Sequence, residues 1–194
     1  MIDDIQAKYK AESFKVVIDN SPVKLSGDRM DVRVRETNLG NAVADALLDY
    51  GQSDFTHKSN LAVTNGGGLR ETIAKDKPIT KGDIIAVLPF GNSVAQIQVT
   101  GQNIYDMFVK SLGSILQVNE SGKNVFDENG QPLLEPSGGF LQVAGARVYY
   151  DTTLPTEKRI LSIDILDPET GVYKPLNTTE TYYLVTNDFL ACWW

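Results

Sequence analysis

Leu61-Ala62-Val63-Thr64 runs without a break into Asn65-Gly66-Gly67-Gly68-Leu69-Arg70. The first four residues are apolar or β-branched and read as a short buried strand. Three glycines directly after a strand permit positive φ and let a ligand or another backbone approach closely. Asn65 can offer an amide and Arg70 a planar cation, which together suit a carboxylate, a phosphate or a ribose. The stretch is not a phosphate-binding P-loop, because the Gly-Lys-Ser/Thr ending is absent and the spacing is wrong. A flexible turn followed by a surface arginine explains the glycines equally well, so the meaning of this stretch depends on what surrounds it.

Upstream lies the clearest helix, Thr37 to Tyr50. Leu39, Val43, Ala46, Leu47 and Tyr50 recur along one face of a 3.6-residue period. Thr37 or Asn38 can cap its start, and Gly51 is placed to end it in a left-handed conformation. Further back, residues 14–18 read as a strand, and Asp3 to Glu12 as a short, mostly polar helix. Downstream, Thr80-Lys81-Gly82-Asp83 has the form of a capped helix start, and Pro89 keeps that helix short. Val94 to Thr100 alternates as a strand, and Gly101 to Leu112 has helical periodicity. Residues 113–138 are rich in Gly, Asn, Glu and Ser and read as a long excursion, part loop and part hairpin. Strands follow at Leu141 to Asp151, Arg159 to Leu166 and Tyr182 to Thr186. Helices and strands interleave, so the fold class is mixed α and β.

The chain has 194 residues, enough for one large domain with its own core. The formal charge is −7, from 18 basic and 25 acidic residues. That balance disfavours nucleic acid as a partner while leaving room for a local basic pocket. With one cysteine, Cys192, and one histidine, His57, there is no disulfide framework and no cysteine- or histidine-rich metal site. No apolar run approaches the ~20 residues that a membrane helix needs. Met1-Ile2-Asp3-Asp4 lacks the basic and apolar regions of a signal peptide. No Gly-x-Ser-x-Gly elbow supports a serine hydrolase.

Three further clusters could carry chemistry. Arg29, Arg33 and Arg35 fall within seven residues and form a local positive patch, with Glu36 available to pair with one of them. Arg33 and Arg35 alternate and would share one face of a strand, so a solvated edge strand is the plain alternative. Pro89-Phe90-Gly91-Asn92 sets an aromatic and an amide on a tight loop, where the ring can pack in the core or on a flat ligand. Asn187-Asp188-Phe189 near the C-terminus carries the same ambiguity.

Taken in order, Arg29-x3-Arg33, Arg35-Glu36-Thr37-Asn38-Leu39-Gly40-Asn41, Asn65 to Arg70, Pro89 to Asn92, Ser137-Gly138-Gly139-Phe140-Leu141-Gln142 and Thr186 to Ala191 closely resemble the C-terminal domain of the 5′-nucleotidase family. That family includes UDP-sugar hydrolases and 2′,3′-cyclic-nucleotide phosphodiesterases. The match spans about residues 14 to 191. The resemblance implies a single domain of layered sheets flanked by helices over 14–194, preceded by the remnant of an interdomain linker helix over 1–13. It implies that Phe90 and Phe189 stack on the two faces of a nucleotide or nucleoside base. It implies that Arg29, Arg33 and Arg70 grip phosphate or ribose, and that Asn65, Asn92 and Gly138 hydrogen-bond the sugar or base edge. Two divalent metal ions and the attacking water would belong to an N-terminal metallophosphoesterase domain, whose signatures do not appear here. This chain by itself is therefore expected to hold no catalytic residues and no cofactor, and to be inactive. The parent protein is expected to be an extracytoplasmic phosphohydrolase. At the end the resemblance stops: relatives continue into Gly-Gly-Asp-Gly-Tyr, where this chain reads Cys192-Trp193-Trp194. A non-catalytic nucleotide- or anion-binding module is the alternative. It would depend on the arginines alone if only an anion binds.

Overall fold

The structure, a computed structural model, describes residues 9–192. The start of the expected Asp3–Glu12 helix lies outside the described residues, as do Trp193 and Trp194; residues 9–13 are helical. The elements then run β1 (Val16–Ile18), α1 (Arg29–Val32), α2 (Asn38–Ser53), β2 (Leu61–Asn65), a 3-10 turn (Gly66–Gly68), β3 (Ile79–Thr80), α3 (Lys81–Val87), β4 (Val94–Thr100), α4 (Gly101–Ser111), β5 (Leu141–Ala144), β6 (Ala146–Tyr150), a second 3-10 turn (Thr156–Lys158), β7 (Ile160–Leu166), β8 (Tyr173–Pro175), β9 (Thr181–Asn187) and α5 (Asp188–Ala191).

The central sheet has the order β4-β9-β2-β5, a second sheet the order β6-β7-β8, and β1 pairs with β3. One face of the central sheet carries α2, whose Ala44 and Leu48 pack on Ala62, Ala144 and Val185. The other face carries α4 and β7, where Ile104, Met107, Phe108, Ile163 and Ile165 close over Leu61, Val63 and Leu184. β2 is thus covered on both sides, which is why all five of its residues are buried and its sequence is not alternating. The layered mixed α and β architecture agrees with the reading of the sequence.

The signals at the helix starts behave as expected. Thr80 and Asp83 satisfy each other's backbone N–H groups at 3.2 and 2.7 Å, and α3 ends before Pro89. Thr37 accepts from the Gly40 N–H at 3.0 Å to start α2. Gly51 does not end that helix, which continues to Ser53. Its missing side chain instead lets α2 approach the sheet: a Cβ there would lie 2.6 Å from Ser59 Oγ and 2.7 Å from Val185 Cγ1.

One alternative and one further expectation are corrected. The arginine cluster does not sit on an edge strand; Arg29 opens a single helical turn, α1, capped by Asp28. The run from Leu141 to Asp151 is not one strand. Gly145, at φ +71, breaks it, so β5 joins the central sheet and β6 the second one. The excursion over 113–138 is an irregular arm with isolated pairings such as Leu116 with Leu134 and Phe126 with Pro132. Buried Arg159 secures its base by donating to the carbonyls of Leu112, Ser114 and Leu154.

Candidate functional site

Sheet order decides where the candidate residues meet. β2 and β9 are parallel, with Leu61 opposite Leu184, so both finish at the same edge of the sheet. β4 and β5 are antiparallel to these neighbours, with Val94 opposite Asn187 and Leu141 opposite Asn65, so both begin at that edge. Four loops therefore converge: Asn65–Arg70 leaving β2, Asn187–Phe189 leaving β9, Phe90–Ser93 entering β4 and Ser137–Phe140 entering β5. The ends of parallel strands are the usual ligand position in open α/β sheets.

The glycine loop serves close approach rather than positive φ; none of Gly66, Gly67 and Gly68 has a left-handed backbone. A Cβ on Gly66 would lie 1.9 Å from the Val32 carbonyl oxygen, so this glycine lets α1 seat against the end of β2. The Ser137 N–H donates to the Arg33 carbonyl at 3.0 Å, the Gly66 N–H to Phe140 at 2.7 Å and the Gly67 N–H to Gly138 at 3.0 Å. Asn65 is buried. Its Nδ2 donates to the Gly138 carbonyl at 3.2 Å, and its Oδ1 accepts from Asn187 Nδ2 at 3.4 Å. Asn187 also caps α5 by accepting from the Leu190 N–H at 2.9 Å. These amides tie three of the four loops together, and the Asp188 N–H joins the fourth by donating to the Ser93 carbonyl at 2.9 Å.

The arginines divide into two kinds. Arg35 is neutralised by Asp31, with Nη2 at 2.5 Å and Nε at 3.1 Å from one carboxylate oxygen. Glu36, expected as a partner for an arginine, instead accepts from Asn41 Nδ2 at 2.6 Å. Among the described residues, no ion pair involves Arg29, Arg33 or Arg70. The Arg33 guanidinium is held below its ordinary pKa, first by burial and then by the charges of Arg29 and Arg70. Its Nε is buried without a hydrogen-bond partner. A buried donor left unpaired costs roughly 1–3 kcal/mol, so the arrangement favours an acceptor, above all an anionic one.

Beside this cluster Phe90 stands 56% exposed on its loop, with Gly91 at φ +65 making the turn. Phe90, Asn92, Ser93 and Asn187 rim a cleft of about 130 Å³ floored by Val43 and Leu47. The Arg70 guanidinium carbon lies 5.0 Å from the centre of the Phe90 ring. Phe189, on the first turn of α5, is 52% exposed. Large exposed aromatics at a loop cluster indicate a contact surface.

The eight predicted residues thus fall on the converging loops, on the end of β2, on the first turn of α5 and on or just after α1, which seats against the end of β2. Two residues quoted within the sequence motifs were given no role of their own: Asn187, which joins the loops, and Gln142, which holds the arginine loop from inside the core. Gln142 Oε1 accepts from the Thr37 N–H at 3.0 Å, and its Nε2 donates to the carbonyls of Val32 and Arg35 at 3.0 and 2.8 Å. A buried glutamine on a strand was the available signal. A larger cleft of about 330 Å³ opens by β5 and β6 and contains none of these eight residues. Its two charged groups are engaged locally: Glu36 by Asn41, and Arg147 over the Tyr173 ring at 3.9 Å. Among the described residues no group of three or more His, Cys, Asp or Glu side chains could hold a metal ion.

Residues 16–192 match the family described as 5′-nucleotidase, C-terminal domain. The chain belongs to that family. It is 32% identical to the trifunctional nucleotide phosphoesterase protein YfkN of Bacillus subtilis (strain 168), over 96% of this chain and 12% of that protein. It is 27% identical to human 5′-nucleotidase, over 97% of this chain and 33% of that protein. The crystal structure of the 5′-nucleotidase precursor from Thermus thermophilus superposes with a TM-score of 0.72 at 32% identity, covering 98% of this chain and 32% of that one. This 5′-nucleotidase C-terminal domain thus spans a third or less of each of these three relatives.

Proposed function

We propose that this domain is the nucleotide-recognition half of a 5′-nucleotidase-like phosphohydrolase. The observation that carries the reading is the Arg29, Arg33 and Arg70 cluster, without a carboxylate counterion among the described residues, set beside exposed Phe90 at the edge where β2 and β9 end. A guanidinium binds phosphate through two parallel hydrogen bonds, and an aromatic face accepts any base. In this reading the base lies between Phe90 and Phe189. Arg29, Arg33 and Arg70 hold the phosphate or ribose. Asn92 and the Gly138 backbone meet the sugar or the base edge, while Asn65 locks Gly138 in place and offers its amide to the same edge.

Hydrolysis belongs to an N-terminal metallophosphoesterase domain of a longer parent protein, where two divalent metal ions would polarise the phosphate and supply the attacking hydroxide. The described residues do not fit a metal centre, so no chemical step is assigned to them; their work is to bind and orient. The linker over 1–13 would join the halves. Relatives named 5′-nucleotidase include snake venom proteins, which favours an extracytoplasmic parent.

Calorimetric titration with adenosine and AMP, of this chain and of its Phe90→Ala and Phe189→Ala variants, tests the reading. Losing a stacking face at ~1–3 kcal/mol weakens binding roughly 5- to 150-fold. AMP binding that ignores both substitutions but is abolished by Arg33→Met identifies an anion-binding module and refutes the base sandwich.

A further inference from the structure

In this structure Arg70 rests on the face of Phe90. Its backbone N–H is fixed to the Val87 carbonyl at 3.0 Å, so the base of the side chain is anchored while the exposed guanidinium can pivot. One direction leads to the Phe90 ring and the other to the loop that carries Arg29 and Arg33. The charges of Arg29 and Arg70 both bear on Arg33, and among the described residues no carboxylate pairs with any of the three, so repulsion disfavours a move of Arg70 toward that loop while it is empty. An anion seated there reverses the balance. Neutralising Arg33 and Arg29 removes the repulsion and offers Arg70 acceptor oxygens.

We propose that Arg70 is a placeholder on Phe90, and that an anion at the arginine loop draws it away and frees the ring for a base. This rests on the nucleotide-binding reading and specifies its ligand class. The site prefers a base and an anionic group joined in one molecule over the base or nucleoside alone. A neutral nucleoside must displace the guanidinium from the ring and gives Arg70 no anionic acceptor in return. A nucleotide does both at once. The two subsites are therefore coupled, and the coupling is reciprocal. An exposed cation–π contact corresponds to roughly a two- to fivefold change in affinity.

Adenosine is titrated into the chain with and without saturating inorganic phosphate, at ionic strength matched with chloride. Phosphate is expected to tighten adenosine binding by roughly two- to fivefold, although both are parts of what would otherwise be one ligand. In Arg70→Gln, adenosine binds more tightly by the same factor without phosphate, and phosphate adds nothing. Arg70→Lys, with a smaller contact over the ring, shows an intermediate response. The Arg70 Nε–H resonance, shifted by the Phe90 ring current, moves on addition of phosphate alone. Adenosine binding unaffected or weakened by phosphate overturns the inference and leaves the base sandwich standing. An equal phosphate effect in Arg70→Gln also overturns it. Failure of both adenosine and AMP to bind removes the nucleotide reading and the inference together.

Discussion

Replacing Gln142 with methionine preserves side-chain length and removes three hydrogen bonds. Gln142 is 1% exposed, so water cannot replace them. The Thr37 N–H and the carbonyls of Val32 and Arg35 would each face a thioether instead of an amide. The unfilled groups are backbone, and their positions are set by α1 and by the start of α2. At roughly 1–3 kcal/mol for each orphan, and allowing for relaxation of the loop, the substitution costs about 3–6 kcal/mol. That is a large share of the ~5–15 kcal/mol typical of a domain. Urea unfolding followed by far-ultraviolet circular dichroism measures it, with an unchanged m-value confirming a stability effect. The same variant loses affinity for AMP, because the loop between Val32 and Thr37 orients Arg33. A loss below about 1 kcal/mol, with AMP affinity retained, would refute the reasoning. The Ser137–Arg33 hydrogen bond and the seat of α1 on Gly66 would then suffice to hold the loop.

Three further outcomes follow from the same geometry. Arg33→Met removes the buried unpaired Nε and keeps most of the aliphatic stem. It is expected to leave the melting temperature unchanged or raise it while weakening AMP binding at least tenfold, measured by calorimetry on one protein sample. Gly145→Ala adds a left-handed penalty of ~1–2 kcal/mol and a clash of ~1–3 kcal/mol, because its Cβ would lie 2.3 Å from the Asn60 carbonyl oxygen. Gly171→Ala, at φ +69 with nothing within 4 Å, incurs the first cost alone, and the difference in unfolding free energy isolates the second. Asp167 is held down to about 2 by its bond to Lys174, then by the Glu169 N–H. A lowered carboxyl pKa stabilises the turn above the ordinary carboxylate range, and that contribution is lost as pH falls through about 2. A carboxyl resonance titrating near its ordinary value while Lys174 is intact would contradict this.

Much of the fold was legible because local chemistry and tertiary structure agree. Thr80 and Asp83 announce a helix start whether or not anything packs on it, and Pro89 limits its length. The apolar stripe of α2 needs only its own periodicity. The misreadings occur where distant backbone decides. Gly51 looks like a helix stop until Ser59 and Val185 are brought against it, where it becomes the contact that lets the helix lie close. Gly145 sits in an unbroken run of strand formers, and nothing local distinguishes one long strand from two. The carbonyl of Asn60, some 85 residues earlier, fills the space a side chain would take.

The candidate site was legible only as a set, and the sheet explains why. Each loop alone has an ordinary explanation: a flexible turn, a charged surface, a packed phenylalanine. They become one site because β9, the last strand, inserts between β4 and β2 and runs parallel to β2. Had β9 entered antiparallel to β2, its exit loop with Asn187 and Phe189 would lie at the opposite edge, far from Asn65. The hydrogen bond between Asn65 and Asn187 spans 122 residues of sequence, and that between Gln142 and Thr37 spans 105. Such closures leave no periodic trace in the chain. They leave polar residues at strand ends and in a buried strand, where apolar ones would otherwise serve. An amide buried at the end of a strand is therefore the more informative signal here than any number of glycines, because its burial requires that a partner arrive from elsewhere.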